Sequence, residues 1–301
     1  MMEIFLTSYC ILFFNNTDHV FNSTYLENIF EKFELQYGKF VINDRFQFAN
    51  RTGVYTWNSS TKSWNKTAAS TTAVTLKFPS RENQTIDSEA TLDSFGDVST
   101  VFNTSSVWIP KTFNFVVKRS DKTVFFMNLS NVTFDAGTNF SMPLSADINI
   151  FTAPFTHKIT WRRINTKEFE LNYNSSTPNG CVTSLVTNVT LQHADYGNMT
   201  SIKNDIKQVK GVITEGSLKA TYAVNVEALA AIAKPTIEQI NSNTKAEALY
   251  DGKKIGDLII KKVNNKDEIF IVYSDGTSEN VEVYVGDFQE KIEAIFANYL
   301  K

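Results

Sequence analysis

Apolar and polar positions alternate with a period of two along most of the chain after Leu35, the spacing of strands with one covered face. The pattern is clearest from Thr244 to Val285. Ala246, Ala248 and Tyr250 share one face of a first run, and Asp251-Gly252 breaks it. An Asp-Gly pair between alternating runs predicts a tight hairpin, because a primed turn needs positive φ. Lys254–Val263 follows, with Gly256, Leu258 and Ile260 on one face, and Asn264-Asn265-Lys266 makes the next break. Ile269–Tyr273 is apolar throughout, which predicts a strand covered on both faces. Asp275-Gly276 is a second hairpin signal, and Glu279–Val285 alternates with Val281, Val283 and Val285 inward. Such short breaks predict an antiparallel meander in which sequence order is spatial order.

The period lengthens to helical spacing in a few places. Asp287 is a suitable N-cap, Glu290 completes a capping-box spacing, and Phe288, Ile292, Ile295, Phe296 and Tyr299 form one stripe. This predicts a C-terminal amphipathic helix lying on the meander. Ser23–Phe33 predicts a short helix with Leu26, Ile29, Phe30 and Phe33 as its apolar face. Asn225 is placed to cap Val226–Ala233, which Pro235 ends, and Thr236–Ile240 adds one more turn.

The remaining runs read as strands. Phe40, Ile42, Phe46 and Phe48 alternate around the turn pair Asn43-Asp44. Gly53–Trp57 and Trp64 flank the polar break Asn58–Lys62, a hairpin arrangement. Ala73–Phe78 ends at Pro79, and Arg81–Asp87 is a polar loop. Thr91–Phe95 and Val107–Ile109 are weaker runs, with Pro110 as punctuation. Thr112–Lys118 and Val124–Leu129 form a hairpin about Ser120-Asp121-Lys122-Thr123. Ala146–Phe151, Phe155–Arg162, Lys167–Tyr173, Cys181–Gln192 and Ser217–Val224 complete the set, with a polar loop at His193–Asp205 and a break at Gly211. The expected fold is therefore mainly β, with long antiparallel meander sheets, curved or sandwich-like, and a few helices on one face. The expected division is an export or anchor segment at 1–20, a β-rich region at 21–200, and a meander with its helix at 201–301, which also reads as continuous with 21–200.

Composition supports the β reading. Twenty-four Phe and eleven Tyr favour half-buried pleated surfaces. The formal charge of −3, with 29 basic and 32 acidic residues, supplies no basic stripe for nucleic acid. Two cysteines, Cys10 and Cys181, make no disulfide framework. Ile4–Phe14 has the length of a signal-peptide apolar region and is too short to span a bilayer. Thirteen Asn-X-Ser/Thr triplets lie before residue 201 and none after. They read either as glycan acceptors of an exported chain or as a product of abundant Asn, Ser and Thr.

Three stretches resemble predicted surface or periplasmic lipoproteins of Bacteroidota. They are Gly53–Asn58 with Trp64 and Leu76–Ser80, then Pro154–Trp161, then Val224–Ala231. The resemblance spans most of the chain after residue 35. It implies export to an extracytoplasmic place (periplasm, outer membrane or cell surface) and anchoring through a lipidated Cys10, and it carries over no functional residue. The run Thr7-Ser8-Tyr9-Cys10 departs from a lipoprotein cleavage box in its bulky Tyr9 and the apolar Ile11–Phe14 behind it.

Candidate chemistry is sparse. The three histidines, His19, His157 and His193, fall in no metal-ligand spacing, and there is no nucleophile elbow, phosphate loop or dinucleotide fingerprint. The sequence names no catalytic residue, metal ligand or cofactor. The first reading is a non-enzymatic binding or structural protein whose Phe-rich strands hold lipid or another apolar ligand. A second is a carbohydrate-binding or adhesion module using Trp57, Trp64 and Trp108; Trp57 and Trp64 equally read as a cross-strand pair. A third is a hydrolase whose carboxylate pair only the fold assembles.

Overall fold

The computed structural model describes residues 23–42, 45–102, 105–134, 143–178, 180–192 and 205–284. The export segment at 1–20 with Cys10, the capped helix from Asp287, and residues 193–204 of the polar loop lie outside them. Strand dominates, and the chain forms two compact units. One contains the described residues up to Thr133 with Asp147–Ala153, the other Phe134–Ala146 with Pro154 onward. The strands flanking 193–204 pair directly with one another.

The first unit begins with α1 (Ser23–Tyr37), the small hairpin β1 (Val41–Ile42) and β2 (Arg45–Phe46), and α2 (Phe48–Arg51). Its sheet contains β3 (Gly53–Asn58), β4 (Ser63–Ala68), β5 (Ala73–Phe78), β6 (Ser88–Phe102), β7 (Ser105–Arg119) and β8 (Lys122–Phe134), in the order β4-β3-β5-β6-β7-β8. Sequence order is not spatial order here. The β3–β4 hairpin turns outward, and β3 pairs parallel with β5, Gly53 opposite Val74. α1 runs one turn beyond the predicted Phe33 and stops at Gly38, whose φ of +86° ends the helix while its amide donates to Glu34 O. Leu26, Ile29 and Phe33 are buried as predicted; Phe33 meets Tyr55 and Trp64 edge-on, and Phe30 meets Phe78.

Pro110 does not end a strand. It lies inside β7, where β6 and β7 carry two compensating bulges. Asp93 pairs with Asn114 and Gly96 with Thr112, leaving Ser94 and Phe95 against Phe113 alone. Asp97 then pairs with Pro110, so Lys111 is the extra residue on β7. A proline that offers no amide is tolerated at such a break in the ladder.

β9 (Pro143–Thr152) contributes its first residues to the second unit and its last to the first. The second unit is the predicted meander. β10 (Phe155–Arg163), β11 (Glu168–Thr177), β12 (Gly180–Leu191), β13 (Ile206–Glu215), β14 (Leu218–Asn225), β15 (Thr244–Tyr250), β16 (Lys253–Val263), β17 (Lys266–Val272) and β18 (Ser278–Asn280) pair antiparallel in sequence order. Between β14 and β15 stand α3 (Val226–Ala230) and α4 (Ile237–Ser242). The Asn225 side chain accepts from Ala228 N, and Thr236 with Gln239 forms a full capping box. The turn pairs Asp251-Gly252 and Asn264-Asn265, like Ser120-Asp121 in the first unit, have positive φ at both residues and close two-residue hairpins.

Three expectations change in this unit. Gly211 does not break the chain but sits within β13, opposite Thr187 and Tyr222. The run Ile269–Tyr273 is not covered on both faces: Ile271 is buried, Ile269 is exposed, and Phe270 on the opposite face lies under the Lys261 ammonium. The last run yields only β18, because the Asn280 side chain accepts from Glu282 N and the backbone turns at Val281, leaving Val283 exposed.

Candidate functional site

The three tryptophans do not form a platform. Trp57 and Trp64 are the cross-strand pair of β3 and β4, but both are buried and their rings meet edge to face at 67°. Trp64 Nε1 donates to Ile29 O at 2.6 Å, so this indole ties α1 to the sheet. Trp108 sits apart on β7. The Arg45 guanidinium covers one of its faces at 3.8 Å and is itself held by both oxygens of Asp97, at 2.7 and 3.1 Å. This is a bracket between β2 and the β6–β7 hairpin, with the ring already occupied.

Carboxylates that the fold brings together are mostly engaged. Glu247 and Asp257 face one another across β15 and β16, and Lys254 bridges them at 2.9 and 2.8 Å. Glu170 accepts from the amides of Asn172 and Asn188. Glu279 accepts from the hydroxyls of Tyr273 and Tyr284, and the hydrogen bond between the two hydroxyls, followed by that to Glu279, raises the Tyr284 phenol well above its ordinary value. His157, half-buried on β10, lies 2.9 Å from Tyr173 OH, and burial lowers its pKa. Among the described residues no group of three or more metal-ligating side chains comes together, and no helix is long and apolar enough to cross a membrane. The amides of Asn128, Asn131 and Asn188, three of the triplet asparagines, are spent on Phe113 O, Asp147 and Glu170.

The distinctive arrangement is the sheet of the second unit, in which a largely apolar row alternates with a more polar one. Directly opposed across β10 to β16 stand Ile159, Tyr173, Leu185, Ile213, Ala220, Ala248 and Gly256. The adjoining row, on the opposite face, reads Thr160, Asn172, Val186, Val212, Thr221, Glu247 and Asp257. One side of the sheet is thus mainly apolar, and the other is polar at β10, β11 and β14, carries Val186 and Val212 at its centre, and is charged at β15 and β16.

Coverage of the apolar face is uneven, and Ala248 in the row of Ile213 is buried. At one end Phe169 and Leu191 are buried, with Trp161, Val189 and Ile206 packed on them. Trp161 stacks on Phe169 at 4.7 Å and donates to Pro143 O. Two rows along, Ile213 is 43% exposed, and in the next row Tyr250 is 52% exposed. The sequence marked Phe169, Leu191 and Tyr250 as strand, missed the strand holding Ile206 and Ile213, and gave no sign of which positions would stay accessible, since that depends on what other segments cover. No family model matches the sequence, and no curated protein or solved structure matches it.

Proposed function

We propose that the protein is a non-enzymatic binding protein, acting outside the cytoplasm, whose second unit holds an apolar ligand of the lipid class on its hydrophobic sheet face. The observation that carries the reading is the uneven exposure of that face, closed at Phe169 and Ala248 but accessible at Ile213 and Tyr250. An apolar surface of this kind gains roughly 25 cal/mol for each Å² it removes from water, whatever the shape of the ligand. The polar and charged opposite face, with its bridged Glu247, Lys254 and Asp257, suits contact with water. Export is supported by the apolar Ile4–Phe14 segment and by the lipoprotein resemblance, with Cys10 as the lipid attachment point.

The test is native mass spectrometry of the full chain, with solvent extraction of the purified protein. A lipid in stoichiometric amount is expected, and Ile213→Glu should release it while the far-ultraviolet dichroism keeps its strand signature. A chain that carries no lipid and, after delipidation, binds no fluorescent fatty acid would remove the reading.

A further inference from the structure

The first unit contains an open cleft of about 540 Å³ that owes its shape to the β6 bulge. Its walls are Phe48 of α2, Thr72 and Ala73 at the start of β5, and Asp93, Ser94 and Phe95 of β6. Because Ser94 and Phe95 together stand against Phe113, the strand bends between them. Ser94 sits at φ +52°, a strained conformation for a residue with a side chain. The bend brings the Phe95 ring within 5.3 Å of Phe48 and 5.0 Å of Phe46, so the phenyl groups back one another along the cleft.

Asp93 is the charged group of this cleft. It stands opposite Ala73 on β5 and Asn114 on β7, neighbours that supply no positive charge. Its carboxylate takes one long hydrogen bond, from Asn114 Nδ2 at 3.4 Å. Among the described residues no cation pairs with it: Arg45 is committed to Asp97, and Lys77 to Glu89. A half-buried carboxylate with acceptor capacity to spare, set beside two aromatic rings, is complementary to a positive charge on an apolar body. The same unit already uses that combination internally, holding Arg45 between the Trp108 ring and the Asp97 carboxylate.

We infer that this cleft is a binding site for an organic cation, an alkylammonium or guanidinium group carried on an apolar body, with Asp93 as its counter-ion and Phe48 and Phe95 as its aromatic walls. The site lies wholly within the first unit and does not depend on the apolar face of the second.

Choline and its uncharged isostere 3,3-dimethylbutan-1-ol separate charge recognition from shape, and methyl glucoside tests for a sugar site. Titration of the full chain by calorimetry should show saturable choline binding in the millimolar range and at least ~10-fold weaker binding of the isostere. Asp93→Asn should weaken choline binding about tenfold and leave the isostere unchanged. Phe48→Leu, on the short α2 segment, should weaken choline severalfold and serves as the second readout if Asp93→Asn fails to fold. Equal binding of choline and its isostere, undiminished choline binding by folded Asp93→Asn, tighter binding of methyl glucoside, or no saturable choline binding in the millimolar range would each overturn the inference.

Discussion

Gly211 on β13 lies directly opposite Tyr222 on β14, and the phenol fills the space a side chain at 211 would occupy. A Cβ there would come within 2.6 Å of Tyr222 OH and would press on the Val186 carbonyl oxygen of β12. The hydroxyl in turn bonds Thr187 Oγ1 at 2.6 Å, so three adjacent strands are joined through one ring. The glycine serves close approach in an ordinary strand conformation, the use that a glycine inside a strand most often marks.

Gly211→Ala should therefore destabilise the chain by about 2 kcal/mol, since both the ring and a backbone oxygen must give way. Tyr222→Phe should cost less, about 1 kcal/mol, by losing the one hydrogen bond with Thr187. Urea unfolding of the two variants checks the order; a Gly211→Ala protein as stable as the parent would contradict it.

Trp64 should be the most sensitive of the three candidate tryptophans. It is buried, it meets Phe33 and Phe78 edge-on, and its indole nitrogen bonds Ile29 O. Trp64→Ala should cost about 4 kcal/mol, through the cavity it leaves and the orphaned carbonyl. Trp108→Ala, which removes only the surface that Arg45 covers, should cost about 1 kcal/mol. Thermal denaturation of both variants distinguishes this reading from a tryptophan platform, for which neither would matter to folding.

Asp87 closes the loop between β5 and β6. Its carboxylate accepts from Ser80 N at 2.6 Å, Ser80 Oγ at 2.7 Å, Ser88 Oγ at 3.0 Å and Arg119 Nε at 3.1 Å. Burial alone would raise its pKa, but the hydrogen bonds from Ser80, Arg119 and Ser88 outweigh that and hold it below the ordinary 3.8. A depressed carboxylate favours the folded state when charged. Its contribution is therefore complete above 3.8 and disappears as the pH falls through the lower folded value. Unfolding free energy measured from pH 7 down to pH 2 should show this acid loss, and Asp87→Asn should flatten it. Asp87→Ala should cost about 3 kcal/mol at neutral pH by stranding the buried Ser80.

Asn241 of α4 completes the edge of β16 beyond the reach of β15. Its amide donates to Ile260 O at 2.8 Å and accepts from Ile260 N at 2.9 Å, replacing one strand neighbour with a side chain. Asn241→Ala leaves both backbone groups without a protein partner and should cost about 2 kcal/mol. Hydrogen exchange should localise the loss, with the Ile260 amide exchanging at least tenfold faster while Gly211 in β13 is unaffected.

The local grammar of this chain was readable without coordinates. Asn225 and Thr236 cap the helices that follow them because a side-chain oxygen needs only the amide three residues on. Asp251-Gly252 and Asn264-Asn265 close their hairpins because positive φ is a property of those residues. Leu26, Ile29 and Phe33 face inward because helical spacing puts them on one side. Alternation likewise put Ala246, Ala248 and Tyr250 on one face of their strand. The misjudged positions were those where one residue type serves two ends. Pro110 and Gly211 read as breaks, yet both lie inside strands, one at a bulge and one beneath a ring.

The binding cleft, the Asp87 knot and the burial of Trp57 and Trp64 carried no such signature, because each joins segments far apart in the chain. Trp64 meets Ile29 across 35 residues, and Asp87 meets Arg119 across 32. Sequence by itself determined most of the strands and the hairpin turns, set by steric and hydrogen-bonding preferences within a few residues, but not β13, which Gly211 concealed. Tertiary structure alone decided that β3 lies beside β5, that the β6 bulge opens a cleft beside Asp93, and that the apolar sheet face is covered at Phe169 but accessible at Ile213. Those outcomes depend on which distant surfaces meet, and burial is a property of the meeting, not of either surface alone.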